Sequence, residues 1–292
     1  MVMGRNVQNA RRPLDGMTYW RRTFGCQMNE NDAERVAGML ETAGALPVAT
    51  IEEADIAVFI TCCVREKAEL RLMGQVASIK NVPNAHEAKR IIAVGGCIGQ
   101  LEGATLRESL PHVDIVFGTH NLGHLVDLIE LRLSTGEPQV ETIDANDGFS
   151  SDLPVRREKP WHAWVPIMTG CDNFCSYCIV PYVRGREMSR PIESIAAELA
   201  GLSSEGIREV TLLGQNVNSY GRDLYGRPRF AEVLALAGQS GVERVRFVTS
   251  HPKDLLPETI EAMAAYDAIM PQLHLPLQSG SDRILRAMNR SY

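Results

Sequence analysis

The chain has 292 residues, of which 45% are hydrophobic and 23% charged, and its formal net charge is −6. These values are typical of a folded globular protein and exclude a disordered chain or a uniformly basic nucleic-acid-binding protein. No run approaches the roughly 18 apolar residues of a membrane helix, and a chain of this length is expected to form two domains.

The first 16 residues contain several arginines but lack the apolar stretch of a secretory signal. We expect residues 1–16 to form a disordered extension, and we expect the protein to act in the cytoplasm. A transit peptide, which is rich in arginine and poor in acidic residues, is the alternative interpretation of this segment.

Residues 17–134 alternate between strand-like and helix-like segments. Apolar runs predict strands at 18–24, 55–61, 90–95 and 114–117. Helices are predicted between them, one capped by Asn29 or Asn31 and ended by Gly44, and others at 64–79, 100–110 and 122–133. Strict alternation of strand and helix predicts an α/β domain with a doubly wound parallel sheet.

The second half repeats this rhythm after a segment rich in turn residues. Residues 135–160 are predicted to be a linker that has room for a short hairpin. Beyond it, strands are predicted at 163–168, 209–213, 245–249 and 272–275, and helices at 192–202, 230–237 and 257–265. This pattern favours part of a β/α barrel over residues 161–292, with its active site at the carboxyl ends of the strands.

The strongest chemical signal is a C-x3-C-x2-C loop directly after the first of these strands. Its three cysteines, Cys171, Cys175 and Cys178, are called the loop trio. A structural zinc ion requires four ligands, and the nearest candidate for a fourth is His162, which precedes the strand. A four-iron cluster held by three cysteines instead leaves one iron open for a substrate or cofactor. Structural zinc and inert buried thiols are the alternatives.

Three further cysteines each end a predicted strand in the first half. They are Cys26, Cys62 and Cys97, separated by 36 and 35 residues, and are called the N-terminal trio. Because the carboxyl ends of neighbouring parallel strands converge on one crevice, we expect these thiols to meet at a second metal site. The Cys63 side chain is expected to point away from that of Cys62 if strand alternation continues, so it is left unliganded.

Six segments of the chain resemble the radical S-adenosylmethionine methylthiotransferases. They are GCQMNENDAERV (25–36), TCCVREKAE (61–69), VGGCIGQ (94–100), MTGCDNFCSYCIVPYVRGREMSR (168–190), LLGQNVNSYG (212–221) and LPLQSGSDRILRAMNR (275–290). The cysteine loop alone identifies the radical superfamily. The segments around Cys26 and Cys62 favour its tRNA-modifying branch over the branch that acts on a ribosomal protein.

The resemblance implies a flavodoxin-like N-terminal domain, an incomplete radical β/α barrel, and two [4Fe–4S] clusters. By motif match the loop trio holds the radical cluster, whose open iron chelates the methionyl end of S-adenosylmethionine. The N-terminal trio matches the ligands of an auxiliary cluster associated with sulfur donation. A serine usually follows the second cysteine of that trio, where this chain has Cys63.

The implied reaction is methylthiolation of C2 of N6-isopentenyladenosine next to the anticodon of tRNA. One S-adenosylmethionine gives a methyl group to cluster-bound sulfur, and a second is reductively cleaved to a 5′-deoxyadenosyl radical that removes the ring hydrogen. General acid–base catalysis contributes only about 10²–10⁴-fold, which does not suffice for an adenine C–H, so a radical cofactor is required. The implied partners are tRNA and an external electron donor. The sulfur source is unassigned, and we expect a monomer that does not bind membranes.

Five residues are candidate contacts to S-adenosylmethionine. Tyr177, just before the last cysteine of the loop, occupies a position where the superfamily commonly places an aromatic residue beside the cofactor's adenine. Gln215 and Asn216 follow the second barrel strand, and Gln278 and Ser279 follow the fourth. Packing of the loop by the Tyr177 ring and capping of turns by the polar residues are the alternatives.

Charged and ionisable residues near the loop trio have less specific interpretations. Arg184, Arg186 and Arg190 lie just beyond it and are candidates for contacts to tRNA phosphate, because arginine binds phosphate bidentately. A solvated charged face is the alternative. His251, which precedes Pro252 at a strand end, is interpreted as a structural histidine rather than a catalytic one.

The predicted barrel is incomplete. Four strands are found where the resemblance calls for six, followed by a small β-rich RNA-binding TRAM domain, and Tyr292 lies just inside the helix after the fourth strand. The sequence is therefore interpreted as a truncated chain that keeps all six cluster cysteines. A parallel sheet ended there exposes an unpaired edge, and the chain lacks the basic surplus of a tRNA binder.

Other functions stay open at this stage. The same chemistry on another tRNA base or on a ribosomal protein is the alternative within the enzyme class. A zinc-stabilised RNA-binding module without enzymatic activity is a second class. An electron carrier is a third, although a carrier usually completes each cluster with four protein ligands.

Overall fold

A computed structural model describes residues 12–63, 66–87, 89–143 and 152–292. The first half contains β1 (Thr18–Phe24), α1 (Gln27–Thr42), β2 (Leu46–Pro47), β3 (Ile56–Thr61), α2 (Glu66–Ile79), β4 (Ile91–Gly96), α3 (Cys97–Glu102), α4 (Ala104–Ser109), β5 (Ile115–Phe117), α5 (Leu125–Thr135) and β6 (Gln139–Glu141). The four predicted strands are all present, within one or two residues of their expected ends.

These strands form one parallel sheet of six, in the order β2-β1-β3-β4-β5-β6. The first five follow the order 2-1-3-4-5 of flavodoxin-like doubly wound sheets. Every residue of β3 and β4 is buried, because helices cover both faces of the sheet. The doubly wound fold predicted from the sequence is confirmed.

Two details differ from the sequence-based expectation. The helix expected at 100–110 is divided into α3 and α4 at Gly103, whose φ of 50° breaks the helix. Strand β6 lies inside the segment predicted as a linker, and it pairs in parallel with β5 rather than forming a hairpin.

The start of the described chain is packed rather than loose. Leu14 is fully buried in the core under α1, and its backbone N–H donates to the Ala43 carbonyl at 2.9 Å. Residues 12–16 therefore belong to the first half of the fold. The rest of the expected N-terminal extension, residues 1–11, lies outside the described residues.

The second half contains β7 (His162–Pro166), β8 (Met168–Thr169), α6 (Val180–Val183), β9 (Met188–Ser189), α7 (Ile192–Ser204), β10 (Glu209–Leu213), α8 (Arg222–Tyr225), α9 (Phe230–Gln239), β11 (Arg244–Phe247), α10 (Pro257–Ala265) and α11 (Asp282–Ala287). Strands β11, β10 and β7 form a parallel sheet in that order, and β8 and β9 form a short antiparallel pair. Helices α7 and α9 pack on the sheet around Leu199, Val233 and Leu234.

The fourth predicted barrel strand, at 272–275, is wrong. The chain runs beside β11 only as far as Met270, with one isolated parallel bridge between Val245 and Ile269. Pro271 and Pro276 then bracket a segment without strand structure. Because proline has no backbone N–H to give to a ladder, the pairing stops where the first of them occurs.

Among the described residues, no helix combines the length and the apolar character needed to cross a bilayer.

Candidate metal and cofactor centres

The N-terminal trio lies at the carboxyl ends of three adjacent strands. Cys26 follows β1, Cys62 follows β3, and Cys97 is the first residue of α3 after β4. The Cys62 thiol hydrogen-bonds to both Cys26 and Cys97, so the structure brings these three side chains together. The Cys62 backbone N–H also donates to the Phe24 carbonyl at 2.9 Å, which fixes this residue beside β1.

Glycines next to the cysteines make this close approach possible. A Cβ on Gly25 would lie 2.5 Å from the Cys62 Cβ, and one on Gly96 would lie 2.7 Å from the Thr61 carbonyl oxygen. Both glycines have positive φ, at 143° and 88°, a region that other residues rarely adopt. A glycine therefore precedes Cys26 and Cys97 because the backbone there has positive φ and leaves no room for a Cβ.

The surroundings favour the thiolate form of two of these cysteines. The hydrogen bond with Cys62 lowers the pKa of Cys26 to about 6, against the effect of burial. Hydrogen bonds with Cys62 and Cys63 hold the pKa of Cys97 well below its usual value, and the Arg184 guanidinium acts in the same direction. Thiolates are the form in which cysteine binds iron.

The side chain of Cys63, which strand alternation is expected to turn away from that of Cys62, reaches Cys97. Its thiol hydrogen-bonds to Cys97, and that contact together with burial raises the pKa of Cys63. Strand β3 ends at Thr61, and Cys63 lies in a bend. Strand alternation, on which the expectation rested, therefore stops before Cys63.

A contact to tRNA phosphate would require Arg184 to face solvent, but its side chain is buried. It is 6% exposed, and its Nη2 donates to the Oδ2 of Asp32, which is 5% exposed, at 2.7 Å. Arg184 also hydrogen-bonds to Cys97 of the N-terminal trio. Arg184 therefore links the segment after the loop trio to the N-terminal trio.

Arg190 and Arg186 also have protein partners. Arg190 is buried and donates to the Pro166 carbonyl at 2.7 Å and to Glu198 at 2.6 Å. Arg186 is exposed and forms a bidentate pair with Asp172 at 2.6 and 3.0 Å. Of the three arginines, only Arg186 is exposed to solvent.

The loop trio follows β8, one short strand later than predicted. Gly170 precedes Cys171 with a φ of 78°, and a Cβ there would lie 1.9 Å from the Arg186 carbonyl oxygen. Cys171 and Cys175 are buried, and Cys178 is half-buried. Burial raises the pKa of Cys171 to about 11.

The chain after α11 braces this loop. The Ser176 backbone N–H donates to the Met288 carbonyl at 3.0 Å, and the Asn289 side chain donates to the Phe174 carbonyl at 2.9 Å. Arg290 donates to the Cys175 sulfur at 3.6 Å and to the Tyr177 hydroxyl at 3.0 Å. The Tyr177 ring is 52% exposed, so it is not packed in the core and is free to stack on a ligand.

Buried polar atoms without partners gather beyond the carboxyl ends of β10 and β11. They are the Gln215 Oε1, the Asn216 Oδ1, the Asn218 Nδ2, the Ser250 hydroxyl and the His251 Nε2. Asn216 itself is held by a 2.7 Å hydrogen bond from its Nδ2 to Asp254. Because a buried polar group without a hydrogen bond costs stability, such a group indicates that a polar ligand belongs there.

Gln278 and Ser279 follow an irregular segment rather than a strand end. Gln278 is exposed with a φ of 64°, and the Ser279 hydroxyl accepts from the Ser281 N–H at 3.1 Å. His274, earlier in the same segment, accepts from the Thr249 N–H at 3.2 Å. The segment therefore passes the carboxyl end of β11, but the structure does not bring Gln278 or Ser279 into contact with Gln215 or Asn216.

Comparisons with known proteins agree with this arrangement. Residues 18–118 match a family profile described as uncharacterized protein family UPF0004, and residues 165–292 match the radical SAM superfamily. The tRNA-2-methylthio-N(6)-dimethylallyladenosine synthases of Frankia casuarinae and Thermobifida fusca are 50% and 49% identical over 96% and 94% of this chain. The chain belongs to the radical S-adenosylmethionine methylthiotransferases.

The chain spans about half the length of these curated methylthiotransferases, 52% of the Frankia protein and 56% of the Thermobifida protein. A solved structure of the radical S-adenosylmethionine methyltransferase TsrM from Kitasatospora setae superposes with a TM-score of 0.62. It covers 95% of this chain and 63% of the TsrM chain at 11% identity, so the likeness concerns the fold alone.

The residues present fit the [4Fe–4S] cluster and the S-adenosylmethionine that this family uses. The loop trio offers three soft thiol ligands on one short loop, and the unpartnered atoms of Gln215 and Asn216 offer polar contacts beyond the neighbouring strand. Among the described residues, no group of three or more His, Cys, Asp or Glu closes around a single metal ion.

Sequence reasoning missed several residues at these methylthiotransferase centres. Asp32 pairs with Arg184, Arg290 contacts Cys175, and Glu187 accepts from the Ser219 hydroxyl at 2.8 Å. Burial raises the pKa of Glu187. All of them lie within segments that carry the family resemblance, but their partners are distant in sequence and only the fold shows them.

Proposed function

We propose that this chain carries the two metal centres of a tRNA methylthiotransferase that modifies C2 of N6-isopentenyladenosine next to the anticodon. The names of the curated relatives support this substrate. The observation that carries the proposal is the pairing of two separate cysteine trios, joined through the buried contact between Arg184 and Asp32. Two thiolate centres on one chain suit a reaction that needs both a radical and a sulfur donor.

The proposal assigns the loop trio to the radical cluster and the N-terminal trio to an auxiliary cluster. When bound, the radical cluster and S-adenosylmethionine supply the one-electron chemistry that removes a hydrogen from an unactivated ring carbon. The chain itself binds and orients these groups. Gly25, Gly96 and Gly170 place three of the six cysteine ligands by allowing close backbone contacts.

Residues beyond the second sheet are proposed to bind S-adenosylmethionine. Gln215 and Asn216 offer buried acceptors that lack protein partners. Tyr177 offers an exposed ring whose hydroxyl is held by Arg290, an arrangement suited to stacking on the cofactor's adenine. Gln278 and Ser279 lie on the segment that passes β11 and belong to this proposed site through the family motif alone.

The partners and the domain division are part of the same proposal. We assign residues 17–134, together with residues 12–16 and strand β6 that pack with the same sheet, to the auxiliary-cluster domain, and residues 161–292 to the radical domain. We infer that the chain acts as a monomer in the cytoplasm, with tRNA as its substrate and an external electron donor. The exposed arginine at position 186 is the candidate phosphate contact that the structure leaves at the surface.

Anaerobic reconstitution with iron and sulfide, followed by incubation with reductant, S-adenosylmethionine and tRNA carrying N6-isopentenyladenosine, tests the function. We expect 5′-deoxyadenosine and 2-methylthio-N6-isopentenyladenosine, both measured by mass spectrometry. Cys171→Ala should abolish both products, and Cys26→Ala should abolish the methylthio product while 5′-deoxyadenosine persists.

Three outcomes would contradict the proposal. Methylthiolation of a different nucleoside would replace the substrate, and zinc without acid-labile sulfide would favour a zinc-stabilised RNA-binding module. Clusters that transfer electrons but leave S-adenosylmethionine intact would favour an electron carrier.

A further inference from the structure

Two exposed aromatic side chains and an arginine lie together on the loop of the loop trio and the short helix that follows it. The Phe174 and Tyr182 rings meet edge to face with their centroids 6.2 Å apart, and the Arg186 guanidinium lies 5.4 Å from the Phe174 centroid. These three side chains are called the aromatic surface. Phe174 is 38% exposed and Tyr182 is 70% exposed, so the residues that the structure describes leave both rings partly open to solvent.

Contacts hold the aromatic surface in place. Phe174 has a φ of 45°, which costs stability in a residue other than glycine, and its carbonyl accepts a 2.9 Å hydrogen bond from the Asn289 side chain. Asp172 accepts two hydrogen bonds from the Nε and Nη2 of Arg186 and so fixes the guanidinium beside the Phe174 ring. The Tyr182 ring therefore has a supported edge and an open face.

The aromatic surface has the chemistry of a stacking site for a nucleobase. Every base has a flat π face that stacks on an aromatic ring, and the phosphate next to it pairs with a guanidinium. The pair with Asp172 occupies the Nε and Nη2 of Arg186, so Nη1 is the part of the guanidinium that this pair leaves for a phosphate. The surface thus offers one ring face and one phosphate donor.

The charge of the chain favours such a contact over a purely electrostatic one. The net charge is −6, so general attraction to phosphate contributes little to RNA binding. Stacking does not depend on charge, but it requires a base that is not enclosed in a duplex. The unpaired bases of an anticodon loop meet this requirement. Because Phe174 lies between Cys171 and Cys175, a base on this surface lies close to the loop trio.

We propose that the aromatic surface binds a base of the anticodon loop that flanks the reacting adenosine, with this base stacked on the Tyr182 ring. Phe174 supports the Tyr182 ring, and Arg186 contacts the adjoining phosphate. The three side chains bind RNA and do not touch the carbon that reacts. The identity of the RNA rests on the proposed function.

Binding of an RNA hairpin tests this proposal without measuring catalysis. The hairpin has the sequence of an anticodon stem and loop with N6-isopentenyladenosine, and fluorescence anisotropy of a terminal dye gives its dissociation constant. Tyr182→Leu should raise this constant at least about fivefold, because it removes the ring on which the base stacks. Tyr182→Phe keeps the ring and should stay within about twofold of the parent chain.

Three further measurements distinguish stacking from a general change in the loop. The salt dependence of the dissociation constant should have the same slope in Tyr182→Leu as in the parent chain, because stacking releases no counterions. 2-Aminopurine, placed on one or the other side of the modified adenosine, should be dimmer at one of these positions in the parent complex than in the Tyr182→Leu complex. A blunt duplex of the stem sequence should bind both chains equally.

Trp161→Leu is the matched control. Trp161 is 40% exposed and Lys159 lies 5.3 Å from its ring centroid, so this is also an exposed ring beside a cation. Trp161 directly precedes β7, at the opposite end of the strand from the loop trio. The Trp161→Leu variant should bind the hairpin as the parent chain does. Equal weakening by Trp161→Leu and Tyr182→Leu would overturn the proposal, because any exposed ring would then serve.

Equal affinity of the parent chain and Tyr182→Leu for the hairpin would overturn the proposal and would leave a protein as the partner of this surface. The same loss of affinity for the hairpin and for the duplex would also overturn it, because no unpaired base would then be involved. Far-UV circular dichroism should be unchanged in Tyr182→Leu, since most of the ring is exposed.

The outcome is separate from that of the proposed function. A chain that methylthiolates tRNA, but whose Tyr182→Leu variant binds the hairpin as tightly as the parent, contradicts this inference alone. A chain that forms no methylthio product, but whose hairpin binding depends on Tyr182, contradicts the proposed function alone.

Discussion

Arg184 donates a 2.7 Å hydrogen bond to Asp32, and both side chains are buried. Arg184 lies six residues after Cys178, and Asp32 lies six residues after Cys26. The contact therefore joins two segments that each carry cluster cysteines. Because Arg184 also hydrogen-bonds to Cys97, one guanidinium bridges the radical segment and the N-terminal trio.

Arg184→Met should destabilise the metal-free, reduced chain by about 3 kcal/mol, because it leaves the Asp32 carboxylate buried without its partner. Asp32→Asn should also destabilise the chain, and the double variant should lose less than the sum of the two, because it removes both charges. Urea denaturation followed by circular dichroism measures these differences.

Arg208→Met is the matched control. Arg208 forms a bidentate pair with Glu243 at 2.8 and 2.9 Å, but both residues are exposed. Solvent screens such a pair, so we expect no measurable change in the free energy of unfolding. An Arg184 variant as stable as the Arg208 variant would show that the buried contact does not hold the two segments together.

The sequence predicted the elements of the N-terminal sheet well, and from them the meeting of Cys26, Cys62 and Cys97. Buried parallel strands produce long apolar runs, and a cysteine at the end of each run has its position set by the sheet itself. Local pattern and tertiary structure agree in this region, so the prediction needed no knowledge of distant contacts.

The predictions that failed depended on contacts between distant segments or on where a strand ends. An arginine is expected at the protein surface. Arg184 is buried because it packs against Asp32, 152 residues earlier in the chain. The contact between Cys63 and Cys97 was not predicted, because the alternation of β3 was extended past Thr61, where the strand ends. The 272–275 strand was predicted from apolar residues, although Pro271 and Pro276 limit the pairing.

Gly170→Ala should destabilise the chain by at least about 2 kcal/mol, because an alanine at positive φ is strained. Its Cβ would also collide with the Arg186 carbonyl oxygen, at 1.9 Å, which is a backbone atom and cannot rotate away. We expect the iron bound by the loop trio to fall as Cys171 is displaced. Thermal unfolding and iron analysis after reconstitution measure the two effects.

Gly201→Ala is the control for Gly170→Ala, and we expect it to stabilise the chain rather than destabilise it. Gly201 lies within α7, and a Cβ there would meet no atom within 4 Å. Replacing glycine by alanine inside a helix stabilises a protein by roughly 0.5–1 kcal/mol. If both glycine variants change stability in the same direction, the close contact at Gly170 is not what requires glycine there.

Gln215→Leu should separate stability from cofactor binding. The Gln215 Oε1 is buried without a partner, so an apolar side chain of similar size should leave the free chain equally stable or slightly more stable. The affinity for S-adenosylmethionine should fall about tenfold, the equivalent of ~1.4 kcal/mol. Equilibrium dialysis of the reconstituted chain measures the affinity.

Gln239→Leu is the comparison for this prediction. Gln239 donates to the Tyr266 hydroxyl at 2.8 Å on the exposed end of α9, remote in the fold from the strand ends. The affinity of the Gln239→Leu variant for S-adenosylmethionine should match that of the parent chain. A Gln215 variant that binds the cofactor as tightly as the parent would remove this residue from the proposed site.

The stability of the chain should depend on pH through His251. Burial lowers the pKa of His251 to about 4, and the positive charge of Arg290 acts in the same direction. An unfolded histidine titrates near 6.5, so between pH 6.5 and 4 the unfolded chain binds a proton that the folded chain excludes. The histidine's contribution is therefore complete above pH 6.5 and is lost as the pH falls toward 4.

We expect this loss to reach about 2 kcal/mol, which is below the full value of the shift because the site is partly open to water. His251→Asn should show a flatter profile between pH 6.5 and 5, where the carboxylates of the chain are still ionised. Asp254 opposes the shift and Lys253 reinforces it, so both residues stay unchanged in the comparison. Denaturant midpoints measured across this range give the two profiles. Parallel profiles would mean that His251 is protonated equally in the folded and unfolded chains, and that its ring is not excluded from water beside Tyr292.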